Sequence, residues 1–149
     1  MSTQHLEVLE TTVQKTHQWI DSLAEAAHMD SHTAYQALRA VLQTLRDRLP
    51  APEAAHFAAQ LPLLVRGIFY EGYKPTQVPE NLSRQEFLDR ISEKIVSQRL
   101  ADPVEAANQV FALLERFLGY GELEKIGLVL PAELRSLFPA RAGGQHCGW

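Results

Sequence analysis

Gln60-Leu61-Pro62-Leu63-Leu64-Val65-Arg66-Gly67-Ile68-Phe69 returns later in the chain as Val129-Leu130-Pro131-Ala132-Glu133-Leu134-Arg135-Ser136-Leu137-Phe138. The Leu-Pro, Arg and Phe positions all recur at one offset of 69 residues. Within the first copy, Leu64, Val65, Ile68 and Phe69 stand at helical spacing, and a proline just before them suits a helix start, where no N–H is needed. The stretch reads as a short helix present twice.

Reading outward, the correspondence extends to both flanks. Phe87, Leu88, Ile91 and Ile95 align with Trp19, Ile20, Leu23 and Ala27 at an offset of 68, and Asp89 aligns with Asp21. Ala107, Val110, Phe111, Leu114 and Leu118 align with Leu38, Val41, Leu42, Leu45 and Leu49 at 69. Glu122 and Ile126 stand opposite Glu53 and Phe57. The expected architecture is all-α: two pseudo-symmetric helical repeats of about four helices each, packed into one bundle. The first repeat covers residues 1–74, with an N-terminal helix extension. A Pro-containing linker covers 75–82, the second repeat 83–139 and a Gly-rich tail 140–149. A unit of about 60 residues buries too little surface to be stable alone, so the copies are expected to share a core.

The individual helices have recognisable ends. Leu6, Leu9, Val13, Ile20, Leu23 and Ala27 form one apolar stripe, predicting a helix from about residue 4 to 28, with Trp19 widening its buried face. Asp30 or Ser31 can cap the next helix. Its core face is Ala34, Leu38, Val41, Leu42, Leu45 and Leu49; Arg46 and Arg48 suit its negative C-terminal end, and Pro50 stops it. Phe57 and Leu61 point inward from a short third helix. Gly72 closes the first unit, and two prolines between residues 75 and 79 exclude regular helix there. Ser83-Arg84-Gln85-Glu86 is a capping box. Asp102-Pro103-Val104-Glu105 is a second strong start, and Gly119 is expected to end that helix as a left-handed cap.

Composition narrows the function classes. Of 149 residues, 46% are apolar and 21% charged, which is ordinary for a globular domain. The net charge of −4 is spread over both halves: residues 1–74 carry six Lys/Arg and eight Asp/Glu, and residues 75–149 carry eight and ten. Neither half is basic, which argues against nucleic acid as a partner. The single cysteine, Cys147, rules out an intrachain disulfide. The N-terminus lacks the basic and apolar regions of a secretory signal, and no apolar run reaches membrane-spanning length. The expected setting is the cytoplasm, with no membrane contact.

Candidate chemistry is sparse. His28 and His32 are four apart, as zinc ligands on one helical face would be, but a helix boundary falls between them and the His-Glu-x-x-His arrangement is absent. They read as exposed loop residues. His146 and Cys147 could bind a soft metal or act as a nucleophile and base. A tail with three glycines is expected to be mobile and does not supply the positioning this chemistry requires. Asp21 and Asp89 resemble a carboxylate pair, yet duplication alone accounts for them; each is expected to pair with an Arg of its own or the other repeat, with Arg66 and Arg135 the symmetric candidates. Phosphate-binding glycine loops, Ser-centred elbows and CxxC motifs are all missing. Tyr70 and Tyr73, beside Phe69 and the linker, and Trp149 at the end of the tail, are the residues expected to meet a protein partner, since amphipathic rings are favoured at interfaces. No catalytic, cofactor-binding or metal-binding residue is assigned.

Several segments resemble the bacterial domain-of-unknown-function family 2267. They are Ala40-Val41-Leu42-x-x-Leu45-Arg46-x-Arg48-Leu49-Pro50, Ala58-Ala59-Gln60-Leu61-Pro62, Tyr70-Glu71-Gly72-Tyr73-Lys74-Pro75, Glu86-Phe87-Leu88-Asp89-Arg90-Ile91, and Gly121-Glu122-Leu123-Glu124-Lys125-Ile126 before Leu130-Pro131. The resemblance spans about residues 17 to 139. It implies a small all-helical, two-repeat bacterial protein and carries no activity or catalytic residue with it. The extra N-terminal turns and the tail lie beyond it. The function expected is a non-catalytic interaction or scaffold module that binds a protein partner or a second copy of itself. The alternative is a small-ligand or metal binder that uses a cleft between the repeats or the histidines.

Overall fold

The computed structural model describes residues 6–95 and 102–139. Among them the order is α1 (Glu7–Ala27), α2 (Ser31–Arg48), α3 (Ala51–Ala58), α4 (Leu63–Tyr70), a 3-10 turn (Pro75–Gln77), α5 (Arg84–Lys94), α6 (Pro103–Leu118), α7 (Tyr120–Val129) and α8 (Ala132–Arg135). No strand occurs among the described residues. The protein is an all-α bundle.

Three helix starts follow from side-chain caps that satisfy otherwise unpaired N–H groups. Asp30 accepts from the Thr33 N–H at 2.7 Å, and Asp102 from the Val104 N–H at 2.9 Å. At α5 the capping box is complete: Ser83 accepts from the Glu86 N–H and Glu86 accepts from the Ser83 N–H. Prolines 50, 62 and 131 stand at the N-caps of α3, α4 and α8 and supply no cap of their own. At α4 another helix substitutes: the Thr12 hydroxyl of α1 accepts from the Leu64 N–H at 2.9 Å. Gly119 ends α6 and begins α7 at φ 92° and ψ 158°, an extended mirror-image conformation instead of the left-handed helical cap expected. The linker, expected to lack regular helix, contains one 3-10 turn.

Helix α2 is the centre of the bundle and packs against α1, α4, α5 and α6. Helix α6 packs in turn against α1, α2, α5 and α7. Leu23, Leu38, Leu42, Leu45, Phe69, Phe87, Ile91, Phe111 and Leu114 are almost wholly enclosed, so their apolar surface leaves water completely. All six expected core residues of α2 are buried. Burial of the second half of α2 also encloses polar groups, of which the Thr44 hydroxyl donates to the Ala40 carbonyl and the Gln43 amide to the Ile68 carbonyl, while the buried Arg48 Nε has no hydrogen-bond partner among the described residues.

Two apolar expectations do not hold. Leu6, Leu9 and Val13 are 61%, 52% and 44% exposed, and the buried face of α1 runs instead through Thr12, Thr16, Trp19 and Leu23. No described helix covers the side chains of Leu6, Leu9 and Val13. Leu64 is also exposed, because α4 turns Val65 and Phe69 inward.

The two Leu-Pro segments make the same contacts. Arg66 donates to the carbonyls of Ala58 and Leu61; Arg135 donates to those of Gly127 and Leu130. This corrects the expected Asp21 and Asp89 pairings. Both arginines curl back over the preceding chain, where carbonyls freed at the end of a short helix need donors. Asp89 instead accepts from Gln85. Among the described residues neither aspartate forms an ion pair with an arginine.

Candidate functional site

Three surface features stand out, each assembled from different helices. The first is a polar cleft of about 210 Å³ where the end of α2, the chain from Gly72 to Glu80 and the end of α5 meet. Arg46 forms its floor and is only 4% exposed. Its guanidinium donates to Asp47 at 2.8 Å and to the carbonyls of Phe69 and Glu71 at 3.1 and 2.6 Å, and it lies 5.4 Å from the centre of the Tyr73 ring. A buried charge needs such full pairing to offset desolvation. Arg90 grips Glu80 with two nitrogens, at 2.9 and 3.3 Å, and reaches Asp47 at 3.7 Å. The Glu80 N–H also donates to the Asp47 carbonyl, which fastens the linker to α2. The hydrogen bond from Arg90 holds Glu80 below the usual carboxylate range, with help from the charges of Arg90, Arg46 and Lys94. Lys94 donates to Gln43 at 3.2 Å; burial, and then the nearby arginines, push its ammonium below the usual lysine range despite the attraction of Asp47.

This cleft was not evident from the sequence. Arg46 reads there as a counter-charge to the helix dipole, and no motif singles out Glu80 or Lys94. A signal was nonetheless present: the segments containing Arg46, Tyr70 to Pro75 and Arg90, quoted above for their resemblance, all border it.

The second feature is a cleft of about 280 Å³ between α3 and α7. Phe57, Ile126, Leu128 and Val129 supply apolar walls, and Glu53, His56, Glu122 and Lys125 supply charged or polar groups. Glu53 and Glu122 sit in the first turns of their helices, where the dipole favours carboxylates.

The third is the uncovered apolar surface on α1. Leu6, Val8, Leu9 and Val13 are exposed there, and the Thr12 to Leu64 bond brings exposed Leu63 and Leu64 of α4 alongside. Further along, Phe117 of α6 is 40% exposed and stacks on Trp19 at 5.2 Å.

Of the residues singled out in the sequence, the structure brings Tyr70 and Tyr73 together. Tyr70 and Tyr73 are half-buried, with ring centres 5.0 Å apart, and Tyr70 packs in turn on Phe69. Burial, and secondarily Tyr73, raises the Tyr70 phenol above its usual range. The Tyr73 hydroxyl is buried without a hydrogen-bond partner among the described residues. His28 is the left-handed C-cap of α1, and His32 lies in the first turn of α2 beside Gln36. Among the described residues no three His, Cys, Asp or Glu side chains gather as a metal site. Trp149, His146 and Cys147, with the mobile tail expected around them, fall outside the described residues. No described helix is long and apolar enough to cross a membrane.

Comparison with curated proteins gives no match. The family profile described as "Uncharacterized conserved protein (DUF2267)" matches residues 16–137, a span that includes both clefts and begins after Leu6, Val8, Leu9 and Val13. The chain therefore belongs to the DUF2267 family of uncharacterized conserved proteins.

Proposed function

We propose that this chain is a non-catalytic interaction module of the bacterial cytoplasm, and that the first half of α1, with the adjoining start of α4, is its contact surface. The observation that carries this reading is the set Leu6, Val8, Leu9, Val13, Leu63 and Leu64, six large aliphatic side chains left to solvent on two touching helices. An exposed cluster of this kind on a small domain marks a contact surface. Its apolar spacing on α1 is that of a helix packing on another helix, and a second copy of the chain or a helical partner would fit it. The half-buried Tyr70 and Tyr73 play a supporting part at the bundle's other polar face, and Trp149 remains a candidate contact.

Native mass spectrometry of the purified protein tests the reading. Dimer or a stoichiometric partner complex is expected for the wild type, and monomer for Leu9→Glu/Val13→Glu. Wild type that stays monomeric and captures no partner rejects it.

We also infer that the bundle consists of two copies of one helical unit. The matched contacts of Arg66 and Arg135 support this, as does the pairing of α2 with α5 and of α6 with α1.

A second reading is favoured by the α3–α7 cleft, whose mixed lining suits a small apolar ligand with one polar group. An adduct on protein purified from its host, lost in Ile126→Trp, would support it.

A further inference from the structure

We propose that the polar cleft between α2, the Gly72–Glu80 segment and α5 binds a small dianionic oxyanion, phosphate or the phosphate group of a small molecule, through Lys74 and Lys94. The inference is independent of the α1 contact surface, which contributes no residue to this cleft.

The charge pairing in the cleft is incomplete in one direction. Its two lining carboxylates are already engaged: Asp47 by Arg46 and Arg90, and Glu80 by both nitrogens of Arg90. Two further cations, Lys74 and Lys94, line the same cleft, and neither has a carboxylate partner within ion-pair distance among the described residues. Of the other carboxylates nearby, Glu71 is held by Arg39, and Glu93 acts on Arg90, one turn before it in α5.

Lys94 is placed by the protein, not left to wander. The buried Gln43 amide donates to the Ile68 carbonyl, which turns its oxygen toward Lys94. That leaves a partly buried ammonium held by a neutral acceptor; burial disfavours its charge most, and Arg46, Arg39 and Arg90 oppose it against the attraction of Asp47. An anion seated against it would relieve both the desolvation and the repulsion. A cleft of about 210 Å³ has room for such an ion and several waters at about 30 Å³ each. Two ammonium groups, one from the linker and one from α5, call for two negative charges, and a phosphate carries about −1.5 to −2 near neutral pH. Lysine suits phosphate as a point charge.

The test follows thermal unfolding of the full chain at pH 7.5 in potassium phosphate against potassium chloride at matched ionic strength. The expected result is a melting temperature that climbs with phosphate concentration beyond the chloride control, and phosphate affinity at least tenfold weaker in Lys94→Gln and in Lys74→Gln. Should Lys94→Gln fail to fold, Lys74→Gln, altered at an exposed position, carries the same comparison. NMR of the Lys94 side chain should also show its pKa rise when phosphate is added. Glycerol phosphate and vesicles containing an anionic phospholipid identify the source: tighter binding of the phosphomonoester than of phosphate supports a small-molecule ligand. Binding to vesicles with no effect of either soluble phosphate overturns the proposal, as does a phosphate response equal to chloride or one unchanged in both variants.

Discussion

Arg66 and Arg135 stand 69 residues apart, and each donates to the carbonyls eight and five positions before it. The two solve one problem, the carbonyls freed where a short helix stops before Leu-Pro, with different hands. Arg66 uses two nitrogens, Nε to Ala58 and Nη2 to Leu61, whereas Arg135 uses Nη1 alone for both Gly127 and Leu130. Hydrogen bonds from a charged donor contribute about 1.5–3 kcal/mol, so Arg66→Met and Arg135→Met should each destabilise the bundle by about that amount. Lysine has one nitrogen and cannot reproduce a fork. Arg135→Lys should therefore retain more stability than Arg66→Lys. Urea unfolding of the four variants checks the order, and equal losses in the two lysine variants would contradict it.

Two glycines should respond to alanine with opposite signs. Gly119 sits at φ 92° and ψ 158°, a region only glycine occupies readily, while a Cβ there would meet nothing within 4 Å. The cost of Gly119→Ala is then backbone strain alone, about 1–3 kcal/mol. Gly67 lies inside α4, also with open space around a built Cβ and with no positive φ. Gly67→Ala should stabilise by about 0.4–1 kcal/mol, through better helix propensity and a less flexible unfolded chain. Thermal melts of both variants decide the matter.

Much of the helical framework was legible because it rests on local chemistry. The caps at Asp30, Ser83 and Asp102, the stop at Pro50 and the buried faces of α2 and α6 each depend on residues within a turn or two of one another. What the sequence concealed depends on distant neighbours. Apolar spacing marks Leu6, Leu9 and Val13 as a face in need of cover, but it cannot say whether the cover belongs to the same chain. The polar cleft joins Arg46, Glu80 and Lys94 across three elements, and nothing local distinguishes a lysine that ends a helix in water from one that ends it beside three arginines. The expected Asp–Arg pairings failed for a related reason: opposite charge is visible in a sequence, whereas the nearer demand of an unpaired carbonyl is not.

The exposed half of α1 should be energetically silent in the monomer. Leu23, on the same helix, is fully buried, and Leu23→Ala should cost about 2–5 kcal/mol. Leu9 is 52% exposed, and Leu9→Ala should change monomer stability by no more than about 0.5 kcal/mol. If α1 is the contact surface, the wild-type melting temperature will rise with protein concentration and that of Leu9→Ala will not, because association stabilises the folded state by mass action. A large loss for Leu9→Ala in dilute protein would mean that its face is covered within the chain.

Glu80 and Lys94 face each other across the cleft and should give opposite pH signatures. The folded protein lowers the pKa of Glu80, chiefly through the hydrogen bond from Arg90. Its contribution is thus fully present above the ordinary carboxylate range and disappears as pH falls through the lowered folded value. The stability difference between wild type and Glu80→Gln should be greatest near neutrality and close as the solution becomes acid. It should also shrink with added salt, since side chains about 30% exposed are partly screened. Lys94 is likewise lowered in the folded state, but for a cation this is a cost. The unfolded chain binds the proton more tightly, so stability from this site improves as pH rises from the lowered folded value to the ordinary lysine range. Urea midpoints for wild type, Glu80→Gln and Lys94→Gln from pH 3 to 10.5 resolve the two. A wild-type advantage over Glu80→Gln that grows toward acid would reverse the assigned sign, and a Lys94→Gln difference that does not change above neutrality would mean that the ammonium is no less comfortable in the cleft than in water.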